Sequence, residues 1–243
     1  MLASYPRSGN TWVRSLLFEL LTGATPTFGH IDDRRSPVGH VAAHDSVPAA
    51  LANGGRLLKT HEAYRPVYRR GVYLLRDPRD VAVSEYRFQR WRGLFDGPLD
   101  AFVCRFVAGR TGGWGRWDAH VRSWTAAASR ANLLVMRYED LRRAPVDGLA
   151  EIAAFLGLGS DRDALATVVE NNSLRRMRDR EDHETSGSFQ KANKGFRFVN
   201  EGKVAGWRED QALHLTLRPV VASFGETMSR FGYLSTNAGP SAR

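Results

Sequence analysis

A chain of 243 residues, 42% of them hydrophobic, can bury one good core, so a single domain with elaborated loops is expected. Its one cysteine, Cys104, excludes an intramolecular disulfide, and the apolar run Phe102-Val103-Cys104 predicts a buried thiol. The formal net charge of +9 rests mainly on arginines scattered along the chain, not gathered in a tail or ribbon, and no DNA- or RNA-binding motif accompanies them.

In chain order, residues 2–5 form a short apolar run that leads into Tyr5-Pro6-Arg7-Ser8-Gly9-Asn10-Thr11-Trp12. Helical periodicity follows over residues 11–21, with Thr22-Gly23 as the stop. Residues 28–53, with their Gly, Pro, Asp and His, read as a long excursion. Further apolar runs at 57–58, 72–75 and 133–136 are too short for helices and nearly all apolar, as buried parallel strands are. Helical patterns lie at 78–91, 99–107, 114–128, 146–156, 162–171 and 213–231. Residues 179–200 read as a second long loop, and long loops of this kind often serve as lids. The alternation predicts an α/β fold: a P-loop-like parallel sheet with helices on both faces and ligands at the carboxyl ends of the strands. One domain is expected over residues 1–234, with a polar, small-residue tail at 235–243 that frays. No apolar run reaches the length of a membrane span, and the N-terminus lacks a basic region and cleavage site, so a soluble, cytoplasmic protein is expected.

The loop before the first helix is an anion cradle. Free N–H groups cluster at a helix start, Arg7 adds a positive fork, Ser8 and Thr11 add hydroxyls, and Gly9 allows the backbone to approach an oxygen. The spacing lacks the GxxxxGK[ST] element of an ATP-type P-loop, which disfavours a small-molecule kinase. Lys59-Thr60-His61 closes the second apolar run, and strand alternation carries Lys59 and His61 to one side. Arg76-Asp77-Pro78-Arg79-Asp80-Val81-Ala82-Val83-Ser84 is a strand end running into a Pro-initiated helix, where Arg76 and Ser84 can converge on one anion or Arg76 can pair with Asp77 or Asp80.

Taken together, these stretches resemble the PAPS-dependent sulfotransferases. The first loop is similar to the family's Tyr-Pro-Lys-Ser-Gly-Thr-Thr-Trp, with Arg7 at the Lys position and Asn10 at the first Thr. Lys59-Thr60-His61 matches its Lys-Thr-His, and residues 76–84 match its Arg-Asn-Pro-Lys-Asp-Val-Ala-Val-Ser. Tyr138-Glu139-Asp140 resembles its strand-end Tyr-Glu-Asp, and residues 115–124 its Gly-Ser-Trp…His-Val…Trp helix, with Trp117 and Trp124 as core and His120 structural. The resemblance implies transfer of a sulfuryl group from PAPS to a hydroxyl of a small-molecule acceptor, releasing 3′-phosphoadenosine 5′-phosphate (PAP). It involves no metal, nucleic acid or membrane. His61 would be the general base and Lys59 and Arg7 the charge stabilisers. The cofactor would be held by Arg7, Ser8, Gly9, Asn10, Thr11, Trp12, Arg76, Ser84 and Tyr138, with Trp12 stacking on adenine and Asn172 adding an adenine contact.

The resemblance runs from residue 4 to about residue 207 and departs near its end. Where the family carries Arg-Lys-Gly-x-x-Gly-Asp-Trp, this chain reads Asn200-Glu201-Gly202-Lys203-Val204-Ala205-Gly206-Trp207, without the two cations that grip the 3′-phosphate. Arg197, Lys203 and the Gly202 amide are the expected substitutes. The family's dimerisation segment is not recognisable, which leaves oligomeric state open. Pocket walls are expected from residues 28–53, 86–95 and 179–198, with Tyr86, Phe88, Trp91 and Phe95 as aromatic candidates. A non-catalytic 3′-phosphoadenosine nucleotide-binding protein is the alternative, but Lys59 and His61 argue against it, because binding a nucleotide needs no base.

Overall fold

The computed structural model describes residues 1–33, 35–127, 132–159, 161–183, 199 and 202–234. Five strands, β1 (Leu2–Ser4), β2 (Val38–His40), β3 (Leu57–Thr60), β4 (Arg70–Leu75) and β5 (Asn132–Arg137), form one sheet in the order β2-β3-β1-β4-β5. Every pairing is parallel, with Leu2 opposite both Lys59 of β3 and Val72 of β4.

Side chains alternate across this sheet with a period of two and feed two cores. Leu2, Val72 and Leu74 point to one face, where they meet α1 (Asn10–Thr22), α7 (Pro145–Leu156) and α8 (Arg162–Asn171) through residues such as Leu16, Ile152 and Leu165. Ala3, Tyr73 and Leu75 point to the other. There they meet α3 (Pro78–Trp91), α4 (Leu99–Val107), α5 (Trp117–Ala126) and α11 (Arg218–Arg230) through Val81, Phe102, Trp124 and Phe224. Trp117 and Trp124 are fully buried, as the sequence predicts. Because β1 pairs with β3 on one side and β4 on the other, the chain leaving β1 enters the crevice where the strand order reverses.

Several expectations need correction. The excursion at 28–53 contains α2 (Phe28–Asp32), the edge strand β2 and a 3-10 helix at Val41–Ser46, each too short to leave a periodic signal. The pattern at 213–231 is two helices, α10 (Gln211–Thr216) and α11, because Pro219 at the start of α11 has no N–H to continue the ladder. Two helices without a counterpart in the sequence pattern are the short α6 (Tyr138–Arg143) and α9 (Leu174–His183), the latter overlapping the expected lid. Helix α5 begins three residues later than Trp114, after Gly112, Gly113 and Gly115, all at positive φ. Cys104 is exposed, because the α4 period turns Phe102, Val103 and Phe106 inward and residue 104 outward. Residues 184–198 and the tail at 235–243 lie outside the described residues.

Candidate active site

The loop between β1 and α1 bends sharply. Arg7 at φ 65° and Gly9 at φ 90° both lie in the left-handed region, with Ser8 between them at negative φ, an alternation that turns successive N–H groups toward one point. Gly9 is the N-cap of α1 and has no side chain to cap it, and the first turn holds no acid. The opening N–H groups are therefore left for an anion. A Cβ at Gly9 would sit 2.5 Å from Cδ2 of Tyr138, so the loop and the α6 aromatic approach as closely as glycine allows.

From this loop a cavity of about 690 Å³ extends along the carboxyl edge of the sheet. Arg7, Gly9, Asn10, Thr11, Trp12, Lys59, His61, Arg76, Ser84, Tyr138, Gly202 and Lys203 all line it, so one cavity gathers most of the residues singled out by sequence. Ser8 is fully buried beneath the loop and does not face the cavity; its Oγ has no hydrogen-bond partner among the described residues. Arg197 lies outside the described residues, as do Asn200 and Glu201.

Arg7 links the loop after β1 to the run from Arg76 to Ser84. Its carbonyl accepts a hydrogen bond from Nη1 of Arg76 at 2.9 Å, and its Nε donates to Oγ of Ser84 at 3.1 Å. Burial pushes the Arg7 guanidinium down to about 10, the nearby Glu85 carboxylate opposing, so it stays charged at neutral pH. Arg76 also donates from Nη2 to the Lys203 carbonyl at 3.1 Å and lies over the Tyr138 ring, 4.4 Å from its centroid. Its Nε is buried without a partner among the described residues, a donor that is costly to leave unmet and suited to a phosphate oxygen.

Helix α3 holds down the segment after residue 201. The Asp80 carboxylate accepts from the Ala205 N–H at 2.9 Å, and the Arg79 guanidinium stacks 3.8 Å from the Trp207 ring centroid. Ala205 stands at φ 55°, a conformation glycine adopts more cheaply. Lys203 thus reaches the cavity as expected, and the Gly202 carbonyl accepts from the Tyr138 hydroxyl at 3.4 Å.

Trp12 and Tyr138 meet edge to face with centroids 6.1 Å apart, and Arg142 lies over Trp12 at 5.2 Å. The Trp12 indole N–H donates to the Asn172 carbonyl at 3.1 Å. The Asn172 side chain corrects the expectation of an adenine contact. It is wholly buried, its Nδ2 donating to Glu19 and to the Val168 carbonyl and its Oδ1 accepting from Arg180. Asn172 therefore positions Trp12 through its backbone and has no amide group left for a ligand.

At the other end stands His61. Its Nδ1 lies 2.8 Å from the Ser4 carbonyl, which can only accept, so in the neutral imidazole Nδ1 carries the hydrogen and Nε2 keeps the lone pair. Burial, reinforced by the Lys59 charge, holds the imidazole well below its ordinary value and therefore neutral at pH 7. Lys59 is itself pushed down to about 8, by burial first and by Arg14 next. His120 is structural. Its Nε2 lies 3.0 Å from the His61 carbonyl and its Nδ1 2.9 Å from the Tyr73 hydroxyl, so both ring nitrogens are engaged, one on the residue just past β3 and one on β4.

Sequence reasoning missed Trp114, Arg14 and Glu85, which all line the cavity. Trp114 sits edge to face with His61 at 5.6 Å, and the glycines at 112, 113 and 115 were the signal that it belongs to a loop. Arg14 ties α1 to α2 and β2 through the Ile31 and Val38 carbonyls. Among the four expected aromatic candidates, only Phe88 reaches the cavity. Tyr86 and Phe95 pack on Phe102, and Trp91 is buried.

A parallel sheet with an uncapped helix start at its switch point, two converging arginines and a neutral histidine beside a lysine suits the transfer of a group from a phosphorylated donor. A model of the sulfotransferase domain matches residues 1–231, and the chain belongs to the PAPS-dependent sulfotransferase family. Rat sulfotransferase 2A2 is 26% identical over 249 residues, which cover 95% of this chain and 84% of that protein. Mouse sulfotransferase 1B1 is 27% identical over 197 residues, 74% of this chain and 65% of that one. Mouse sulfotransferase SULT7A1 complexed with PAP has a similar fold, with a TM-score of 0.69 at 20% identity, covering 96% of this chain and 87% of that chain. Retinol dehydratase in complex with androsterone and PAP scores 0.68 at 22% identity, covering 91% and 79%. As a member of this family the chain is a transferase that takes its sulfuryl group from PAPS and releases PAP.

Proposed function

We propose that this chain transfers the sulfuryl group of PAPS to a hydroxyl of a small-molecule acceptor, with His61 as general base. The observation that carries this reading is the half-buried, neutral His61, its Nδ1 fixed on the Ser4 carbonyl and its Nε2 left without a described partner, in the same cavity as the loop between β1 and α1. PAPS supplies an activated sulfuryl group whose leaving atom is a phosphate oxygen. The residues present fit it: an uncapped helix start, an unmet Arg76 Nε, and Trp12 with Tyr138 at the base end.

His61 Nε2 takes the acceptor's hydroxyl proton as the new sulfur–oxygen bond forms. Lys59 and Arg7 stabilise the negative charge that grows on the departing phosphate oxygen. Arg76, Ser84 and Lys203 hold the 3′-phosphate, with Arg197 and the Gly202 amide completing the substitute for the missing Arg-Lys pair. Thr11 and the N–H groups of Asn10 and Thr11 hold the 5′-phosphosulfate. Residues 1–234 act as one domain in this reading. A cytoplasmic setting belongs to it as well, supported by the single cysteine and by the absence, among the described residues, of a helix long and apolar enough to cross a membrane.

The test is transfer of label from PAPS to a panel of phenols and alcohols by the parent and His61→Ala. The variant should lose about 100-fold to 10,000-fold in turnover while binding PAP as tightly as the parent. Near-normal turnover by the variant would place the base elsewhere.

A further inference from the structure

Ser84, Phe88 and Arg92 recur every four residues along α3 and its C-cap, and all three line the cavity. Ser84 marks the nucleotide end, because its hydroxyl accepts from Arg7. At about 1.5 Å of rise per residue, Arg92 stands roughly 12 Å further on. Between them lies Phe88, whose ring is capped by the Arg7 guanidinium at 4.8 Å. The same cavity therefore runs from a phosphate-binding end, past an apolar middle, to a second cationic end.

The charges at that second end are unmatched. Neither the Arg92 nor the Arg87 guanidinium, which also lines the cavity, makes an ion pair, hydrogen bond or ring contact with any described residue. The acids that line the cavity are already committed. Asp80 accepts from Ala205, Glu85 from Gln89, Asp210 from the first N–H groups of α10, and Asp32 faces Arg14. A helix C-terminus favours cations, which accounts for arginine near residue 92 anywhere around the helix. It does not account for two guanidinia facing one cavity.

We infer that the acceptor is itself an anion: a hydroxylated compound with an apolar body and, at the end away from its hydroxyl, a carboxylate or similar group held by Arg92 and Arg87. This names the substrate class of the proposed sulfotransferase site and rests on that reading. Both guanidinia are exposed to solvent, and with the hydroxyl at His61, the body against Phe88 and Trp114 and the anion at Arg92, the acceptor is held at both ends, a charge contact that neutral analogues forgo.

The experiment is calorimetric titration of the PAP-bound protein with 3-(4-hydroxyphenyl)propanoate and with its methyl ester, which keeps the shape and removes the charge. A charge-assisted contact predicts that the acid binds about tenfold to hundredfold more tightly than the ester. In Arg92→Ala that ratio should shrink, in Arg92→Lys it should partly return, and in the Arg87→Ala, Arg92→Ala double variant it should vanish while the ester's own affinity moves by a smaller factor. Equal binding of acid and ester by the parent, no binding of either to the PAP complex, or an unchanged ratio in the double variant would overturn the inference alone. Failure of the parent to bind PAP at all would instead sink the sulfotransferase reading beneath it.

Discussion

His61 and Lys59 face the same cavity, and burial acts on both in the same direction. Burial and the Lys59 charge favour the neutral imidazole, so proton uptake by His61 begins only well below pH 6.5. Burial and Arg14 weaken the Lys59 ammonium, whose charge is lost as pH rises through about 8. The kcat/KM for PAPS reports groups of the free enzyme. It should therefore be flat from about pH 6.5 to about 7 and fall through about pH 8 as Lys59 deprotonates. Lys59→Arg keeps a charge that does not titrate there, so its profile should lose the basic limb. A limb that stays near pH 8 in that variant would show that another group controls it.

At the scale of elements, the first loop depends on one position where two demands coincide. Gly9 needs a left-handed backbone and also leaves no room for a Cβ beside the Tyr138 ring. Gly9→Ala should cost about 1–3 kcal/mol of stability from the backbone conformation and the contact together. By displacing Tyr138 it should also weaken PAP binding by about tenfold or more. Thermal unfolding and PAP titration check both. Unaltered PAP affinity would show that the close approach of α6 to the loop is not part of the nucleotide site. Helix α3 is the second organising element: its first turn holds the segment at 202–207, its middle bonds Arg7, and its end brings Arg92 to the far side of the cavity.

For the molecule as a whole, these parts belong to different layers. The β1–α1 loop, α3, α6 and the segment at 202–207 each lend a wall to one cavity, and a ligand touching all of them stabilises the folded state as a unit. At a concentration of 100 times its Kd, a ligand adds about 2.7 kcal/mol, which for a chain of this size is roughly 5–10 °C in Tm. PAP should reach that shift at far lower concentration than AMP, because the contacts proposed for Arg76, Ser84 and Lys203 are to a phosphate that AMP lacks. Equal shifts at equal concentration would remove the 3′-phosphate assignment.

The cores of β1, β3, β4 and β5, the α3 and α4 boundaries and the helix starts after residues 9 and 77 were legible in the sequence, because each rests on local spacing: short apolar runs, a helical period, Gly and Pro at fixed places. The same local patterning placed Lys59 and His61 on one side of β3 and made Trp117 and Trp124 core. Only the tertiary structure could show that Arg7 bridges Arg76 and Ser84, more than 65 residues away, or that the Asn172 amide is spent on Glu19 and Arg180. Hydrogen-bond partners of that kind have no sequence period. Trp114, Arg14, Glu85 and Arg92 likewise carry no motif, and they reach the cavity because the sheet order brings the loop before α5, the first helix and the end of α3 to one edge.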